Sequence, residues 1–338
     1  MTKLTFKFPA WQRALLGLGC GLLVAGAAIT WLGVSHRGLV ASIQNASAGP
    51  LVIAAAGSLV LLALQSLRWW IVVRPVLDVK YLEAFKAVMV GFFGNVFLPA
   101  RGGDLLRAQY LGKKQGVSRA KLLGTQLVDF WSDKWGWVVA FPVICLFGRP
   151  PPWMFWTCGL LGTVVVVLAA VLAVMGSRFG RLDAQKQSRG PRWLMNLRDG
   201  FAASHWKRLL TAETLVAPLP WLCEIAMVVI ASRSVGLLLT PMQAFTVLTA
   251  INLAMVVPSP GNAGFFEAGG TLALVSLGAS KEAALAFILL YHVTQVLPGI
   301  VGGAAILIAN DDGISVLWRK NPALEAKRRE DSNAESGE

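Results

Sequence analysis

Two broken apolar segments constrain this chain more than any other feature. The first, NVFLPARGGDLLR (Asn95 to Arg107), continues an apolar run yet holds a proline, two adjacent glycines, two arginines and an aspartate. The second, NLAMVVPSPGNAGFFE (Asn252 to Glu267), repeats the order: an asparagine, an apolar run, prolines, glycines and an acid. Upstream, EAFKAVMVGFFG from Glu83 parallels QAFTVLTAINLA from Gln243; downstream, GVSRAKLLG from Gly116 parallels GASKEAALA from Gly278. Proline and glycine interrupt helices, one by lacking an N–H and the other by backbone freedom. The run before each break is about 15 residues, short of the roughly 20 that a spanning helix needs.

The breaks lie in a chain that belongs in a bilayer. Of its 338 residues, 55% are hydrophobic and 14% charged, and the mean hydropathy is +0.60. That excludes an ordinary soluble domain. Apolar runs near 14–34, 51–73, 153–176, 209–236 and 282–309 read as spans, and one near 119–147 carries charges in its first half. The first follows a basic start but is too long for a typical signal-peptide core, so it reads as an uncleaved span. The net charge of +13 sits in alternate loops, which points to topology and anionic lipid rather than nucleic acid. Residues 1–13, the loop 177–208 and the tail 311–338 are therefore expected in the cytoplasm, the tail disordered by composition. Cys20, Cys145, Cys158 and Cys223 lack metal-like spacing and read as packing residues.

These elements predict an all-α polytopic membrane protein of about six transmembrane helices plus two inverted re-entrant helical hairpins, with repeats near 81–147 and 241–309 inside a domain of 14–310. The alternative is two kinked spans, giving eight crossings. Broken helices in inverted repeats tend to place a substrate site where the repeats meet. Pro99, Gly102 and Gly103 are the expected breaks of the first copy, and Pro258, Pro260, Gly261 and Gly264 those of the second. A half-helix starting near Asp104 aims free N–H groups inward, which suits an anion. Arg101 and Arg107 add bidentate geometry for phosphate; the bland alternative is that they snorkel to the surface. Asp104 is expected to cap the helix and orient one arginine. Asn95, Asn262 and Glu267 complete the two breaks, with Glu267 expected to pair with Arg101 until a headgroup arrives.

Within the spans, Asp129 and Asp133 share one helix face beside Lys134, and Tyr291 and Gln295 share another beside His292. Intramembrane ionisable groups face a cavity or a partner, so these six are candidate substrate-binding residues. Structural Asp129–Lys134 or Glu224–Arg233 pairs are the competing reading. Enzymatic signals are thin: three histidines (His36, His205, His292), and no zinc, Walker A or nucleophile-elbow motif. No cofactor or metal is expected.

The motifs carry a resemblance. The chain resembles the transmembrane, flippase-like region of lysylphosphatidylglycerol synthases over about residues 10–310. The markers are Asn95, Pro99, Arg101, Gly103, Asp104 and Arg107; an Arg-x-x-Asp, here Gln126 to Asp129; and Pro258, Pro260, Gly261, Gly264 and Glu267. Gln126 stands in place of the arginine, Asn262 in place of a glycine, and Asp104 in place of the usual glutamate. The resemblance implies translocation of a phospholipid or of a polyprenyl- or hopanoid-type lipid in a cell inner membrane, without lysyl transfer by this chain. A homo-oligomer or a lipid-synthesising enzyme are the protein partners such a role admits. A lipid-modifying enzyme and a non-transporting partner protein are the alternatives.

Overall fold

A computed structural model describes residues 33–98, 101–182, 214–256 and 259–309, together with Gly19, Leu23, Gly26 and Thr30. Most of the first expected span, the basic loop beyond Leu182, the tail beyond Ala309, and Pro99 and Pro258 lie outside the described residues. The described residues form helices and no strands. In chain order they are α1 (His36–Gln44), α2 (Ala48–Val73), α3 (Tyr81–Phe97), α4 (Gly102–Gln115), α5 (Arg119–Ile144), α6 (Pro152–Leu182), α7 (Pro218–Ser232), α8 (Pro241–Ala254), α9 (Phe265–Ser276) and α10 (Lys281–Ala309).

Among the described residues, four helical segments are long and apolar enough to cross a membrane: Ala48–Val73, Pro152–Ala170, Thr214–Val235 and Lys281–Ala309. Helix α5, of 26 residues, is as long but carries Asp129, Asp133 and Lys134 at its centre. The short amphipathic helix α1, which the sequence pattern did not single out, starts at an N-cap where Ser35 Oγ accepts from Gly38 N.

The two broken segments fold as helical hairpins. Helices α3 and α4 have 17 and 14 residues, about 26 and 21 Å at 1.5 Å per residue, against a hydrocarbon core of roughly 30 Å. They run antiparallel. Lys114 Nζ meets Glu83 Oε2 at 2.7 Å at the open end, and Gly103 N donates to Asn95 Oδ1 at 2.8 Å at the tip. Between those points glycines bring the backbones together. A Cβ on Gly103 would lie 1.9 Å from the Gly91 carbonyl oxygen, and one on Gly94 would lie 2.8 Å from Gly103 Cα. Such close approach is how helices associate in lipid, where no hydrophobic drive separates them from the tails. Helices α8 and α9, of 14 and 12 residues, repeat the plan, with Gly269 against Ala250 and Ala254. Thr240 and Gln243 start α8 with a reciprocal capping box, and Pro241 occupies the first turn.

Helix α10 shows how the hairpins relate. Along it from Lys281, Ile288 packs on Gly270 of α9, His292 reaches Gly261 at the second break, Gly299 packs on Phe92 of α3, and Gly303 packs on Phe93 and Met89. The hairpins therefore lie end to end along one helix, with their tips meeting in the middle. Gly261 faces Val96 there, 3.6 Å separating its Cβ position from the Val96 carbonyl oxygen. The first hairpin opens toward Ala309 and the second toward Lys281, which is the inverted arrangement. Of the three apolar clusters among the described residues, the two larger each follow one hairpin. One gathers Phe245, Leu248, Leu274, Phe287, Tyr291 and Trp137; the other gathers Trp69, Val73, Ala84, Val90, Leu111 and Leu307.

Pro298 interrupts α10 between the two seats. A proline cannot donate to the carbonyl four residues earlier. That carbonyl, Thr294 O, instead accepts from Ser58 Oγ of α2 at 2.9 Å.

Candidate functional site

Two polar clusters flank the meeting of the tips. The first joins α2, α4 and α5. Asp129 accepts from Arg68 Nε through Oδ1 at 2.9 Å. Through Oδ2 it accepts from Arg107 Nη1 and Nη2, at 3.1 and 3.2 Å. Asp133, one turn on, accepts from Arg68 Nη1 at 2.7 Å and from Lys134 Nζ at 2.7 Å. Three cations thus share two carboxylates. Arg107 lies 3.7 Å over the Trp69 ring, whose Nε1 donates to Thr125 Oγ1 at 3.1 Å. Arg107 is buried, and its Nε has no acceptor among the described residues. Glu224 of α7 lies within electrostatic range of Asp133 and Lys134.

This geometry revises several expectations. Asp129 takes Arg68 and Arg107, not Lys134, because residues five apart on a helix face apart. Glu224 and Arg233 form no pair: Arg233 belongs to the 3-10 turn after α7. The two tip arginines differ: Arg107 is buried and does not snorkel to the surface, whereas the Arg101 side chain is 63% exposed. Arg101 stands 3.9 Å from Asp104 and 5.9 Å over the Phe130 ring. Its φ of 56° places a non-glycine residue in the left-handed region at the start of α4, a strained position typical of functional sites. Asp104 does not cap α4. Asn95 performs that role from the opposite arm, accepting from Gly103 N and donating weakly from Nδ2 to Asp104 Oδ1 at 3.4 Å. Gln126 donates to the Asp104 carbonyl oxygen at 3.1 Å, which ties α5 to the tip. Gly102 is the first residue of α4, seated on Leu98.

The second cluster lies at the other tip. Glu267 does not pair with Arg101. Its Oε1 meets His292 Nδ1 at 2.5 Å, and its Oε2 accepts from Gly264 N at 2.6 Å. His292 Nε2 meets the Gly261 carbonyl oxygen at 2.9 Å. Phe266 stacks on the imidazole, with centroids 4.2 Å apart. Pro260, Gly261 and Asn262 form a 3-10 turn. Gly261 and Asn262 have φ of 59° and 58°, and Asn262 is exposed. Tyr291 is fully buried against Phe287 and accepts from Gln295 Nε2. The two tips match in register. Asp104 and Glu267 are both the third helical residue after their breaks.

Sequence reasoning missed Arg68. The signal was available: it is the one charge inside the apolar stretch LALQSLRWWIVV, and such a charge needs a partner. Cys145, Cys158 and Cys223 are free and half-buried, as packing residues are.

Inverted hairpins meeting beside buried charged clusters define a polytopic α-helical membrane protein with a polar interior at its centre. The chain belongs to the family described as the lysylphosphatidylglycerol synthase TM region, whose model matches residues 19–303. The family is one of membrane lipid handling. Among curated proteins none matches the chain.

Proposed function

We propose that this protein moves an anionic lipid headgroup between the leaflets of a cell inner membrane, as a transporter and not as an enzyme. The basic open end of the first hairpin and both termini lie on the cytoplasmic side in this reading, in keeping with the distribution of lysine and arginine. The observation that carries it is Arg107 on the first hairpin. It is a buried guanidinium with one N–H lacking an acceptor, set between the exposed cation of Arg101 and the Arg68–Asp129–Asp133–Lys134 network. A phosphate oxygen matches that donor in charge and geometry. The headgroup enters at the tips while the acyl chains stay in the bilayer, and the opposed hairpins give access from either face.

Liposomes holding the purified protein test this. They carry a trace of fluorescent phosphatidylglycerol or fluorescent phosphatidylcholine, and dithionite bleaches only outer-leaflet probe. The protected phosphatidylglycerol pool should bleach in protein-containing vesicles, faster than the phosphatidylcholine pool. Arg101→Ala should slow it without loss of folded protein, because that side chain is exposed and holds no core contact. Equal protection in protein-free and protein-containing vesicles refutes the reading.

A further inference from the structure

His292 of α10 holds both the turn within the second break and the first turn of the helix that follows it. Its Nε2 faces the Gly261 carbonyl oxygen at 2.9 Å, and a carbonyl can only accept, so Nε2 carries a hydrogen. Its Nδ1 faces Glu267 Oε1 at 2.5 Å. Two lone pairs repel at that separation, so one proton lies between them, on the nitrogen or on the oxygen. Either way the pair holds one proton beyond the Nε2 hydrogen and is neutral as a unit. Glu267 is 8% exposed, and Phe266 covers one face of the imidazole.

We propose that Glu267 and His292 form a binding site for one transported or regulatory proton, and that this proton latches the tip of the second hairpin to α10. Loss of the proton sets a carboxylate against a bare Nδ1. The contact turns repulsive, the tie to the first turn of α9 breaks, and the turn Pro260–Asn262 is held by the Nε2 bond alone. Because Gly261 faces Val96, unlatching loosens the place where the two hairpins meet. The proposal rests on the translocation reading only where it links the latch to lipid movement.

The other groups facing the pair are few. On α10 itself the neighbour is Tyr291, whose ring is tilted against Phe266 with centroids 6.3 Å apart. From α7, Glu224 interacts with Tyr291. From α2, Ser58 reaches Thr294. From α3, Phe92 and Val96 are apolar. At the start of α10, Glu282 accepts from Ser35 N at 3.1 Å, about 15 Å along α10 from His292 by the helix rise. A single titration at the tip is therefore expected.

The test uses the full chain in nanodiscs with His36→Gln and His205→Gln, which leaves one histidine of three. Nitrogen NMR of labelled histidine is followed between about pH 5 and pH 10, the range that spans imidazole titration. In a background without the four cysteines, Ala263→Cys reports opening by its labelling rate. Raising the pH should change the Nδ1 signal in one step while Nε2 keeps its hydrogen. Labelling, divided at each pH by that of the same cysteine in His292→Ala to remove the thiol's own ionisation, should rise with the same midpoint, about tenfold per pH unit on the latched side, the slope of a one-proton site. Glu267→Gln supplies an amide hydrogen to Nδ1 permanently, so its labelling, divided in the same way, should stay low at every pH. In vesicles the lipid rate should follow the same step. A His292 signal or a labelling rate that stays flat with pH overturns the proposal; lipid movement that ignores the step overturns its link to translocation. If the NMR and labelling steps coincide but no lipid moves at any pH, the latch stands and the translocation reading fails.

Discussion

Asp129 should be the costliest single acid to neutralise. It accepts three hydrogen bonds from two guanidiniums, at 2.9, 3.1 and 3.2 Å. The side chains of Asp129, Arg68 and Arg107 are only 9%, 7% and 11% exposed. Asp129→Asn keeps the shape but turns one acceptor into a donor aimed at an arginine. Charge-assisted hydrogen bonds are worth about 1.5–3 kcal/mol each. Arg68 retains Asp133 at 2.7 Å and Arg107 retains the Trp69 ring, so the loss falls short of the full sum. Removal of one partner from a buried pair costs about 3–5 kcal/mol; we expect about 4 kcal/mol, roughly a thousandfold in the folding equilibrium. Asp133→Asn should cost less, because that side chain is 24% exposed and Lys134 can turn toward water. Equilibrium unfolding in mixed micelles measures both. Arg68→Met on the Asp129→Asn background completes a cycle with a coupling of about 2 kcal/mol. A loss under about 1 kcal/mol for Asp129→Asn, or strict additivity with Arg68→Met, would show that the network does not act as a unit.

Arg101→Gly should relieve the left-handed backbone and raise stability by about 1 kcal/mol, while slowing anionic lipid transport; stability and transport falling together would refute a strained functional residue. Gly103→Ala should cost at least about 1–3 kcal/mol by overpacking, since its Cβ meets the Gly91 oxygen, whereas Gly49→Ala, with nothing within 4 Å, should be neutral in the same unfolding assay. Cysteines placed at Lys113 and at Ser280 in a cysteine-free background should label from opposite faces of intact cells; labelling of both from one face would refute the inverted hairpins.

Much of this architecture was legible in the sequence. Length and apolarity predict the long helices, and the repeated order of asparagine, proline, glycine and acid predicts two hairpins. The alternation of basic loops then implies their opposite entry. What could not be read were pairings across distance. Arg68 precedes Asp129 by 61 residues, and nothing local says that α2 lies beside α5. Spacing put Asp129 and Asp133 on one face correctly, but a shared face does not name the partner. Glu267 was expected to pair with Arg101 and pairs with His292 instead. Both tips meet at the centre, but α10 runs directly beside α9, so the histidine of the same repeat reaches the acid first. The cap on α4 was misassigned for a related reason: Asn95 sits across the hairpin, and its amide oxygen takes the N–H that Asp104 was expected to take.

Pro298 has a mechanical consequence. It removes one rung of α10 between the seat of one hairpin at Ile288 and His292 and the seat of the other at Gly299 and Gly303. A helix lacking a rung bends there at lower cost than elsewhere. The two arms of α10 are therefore levers on a common pivot, each bearing one hairpin. Ser58 is the pin: it fills the bond that the proline leaves open and fastens the pivot to α2. A bend of α10 at this point must either break the Ser58 bond or carry α2 with it, and α2 also holds Arg68 of the first charged cluster.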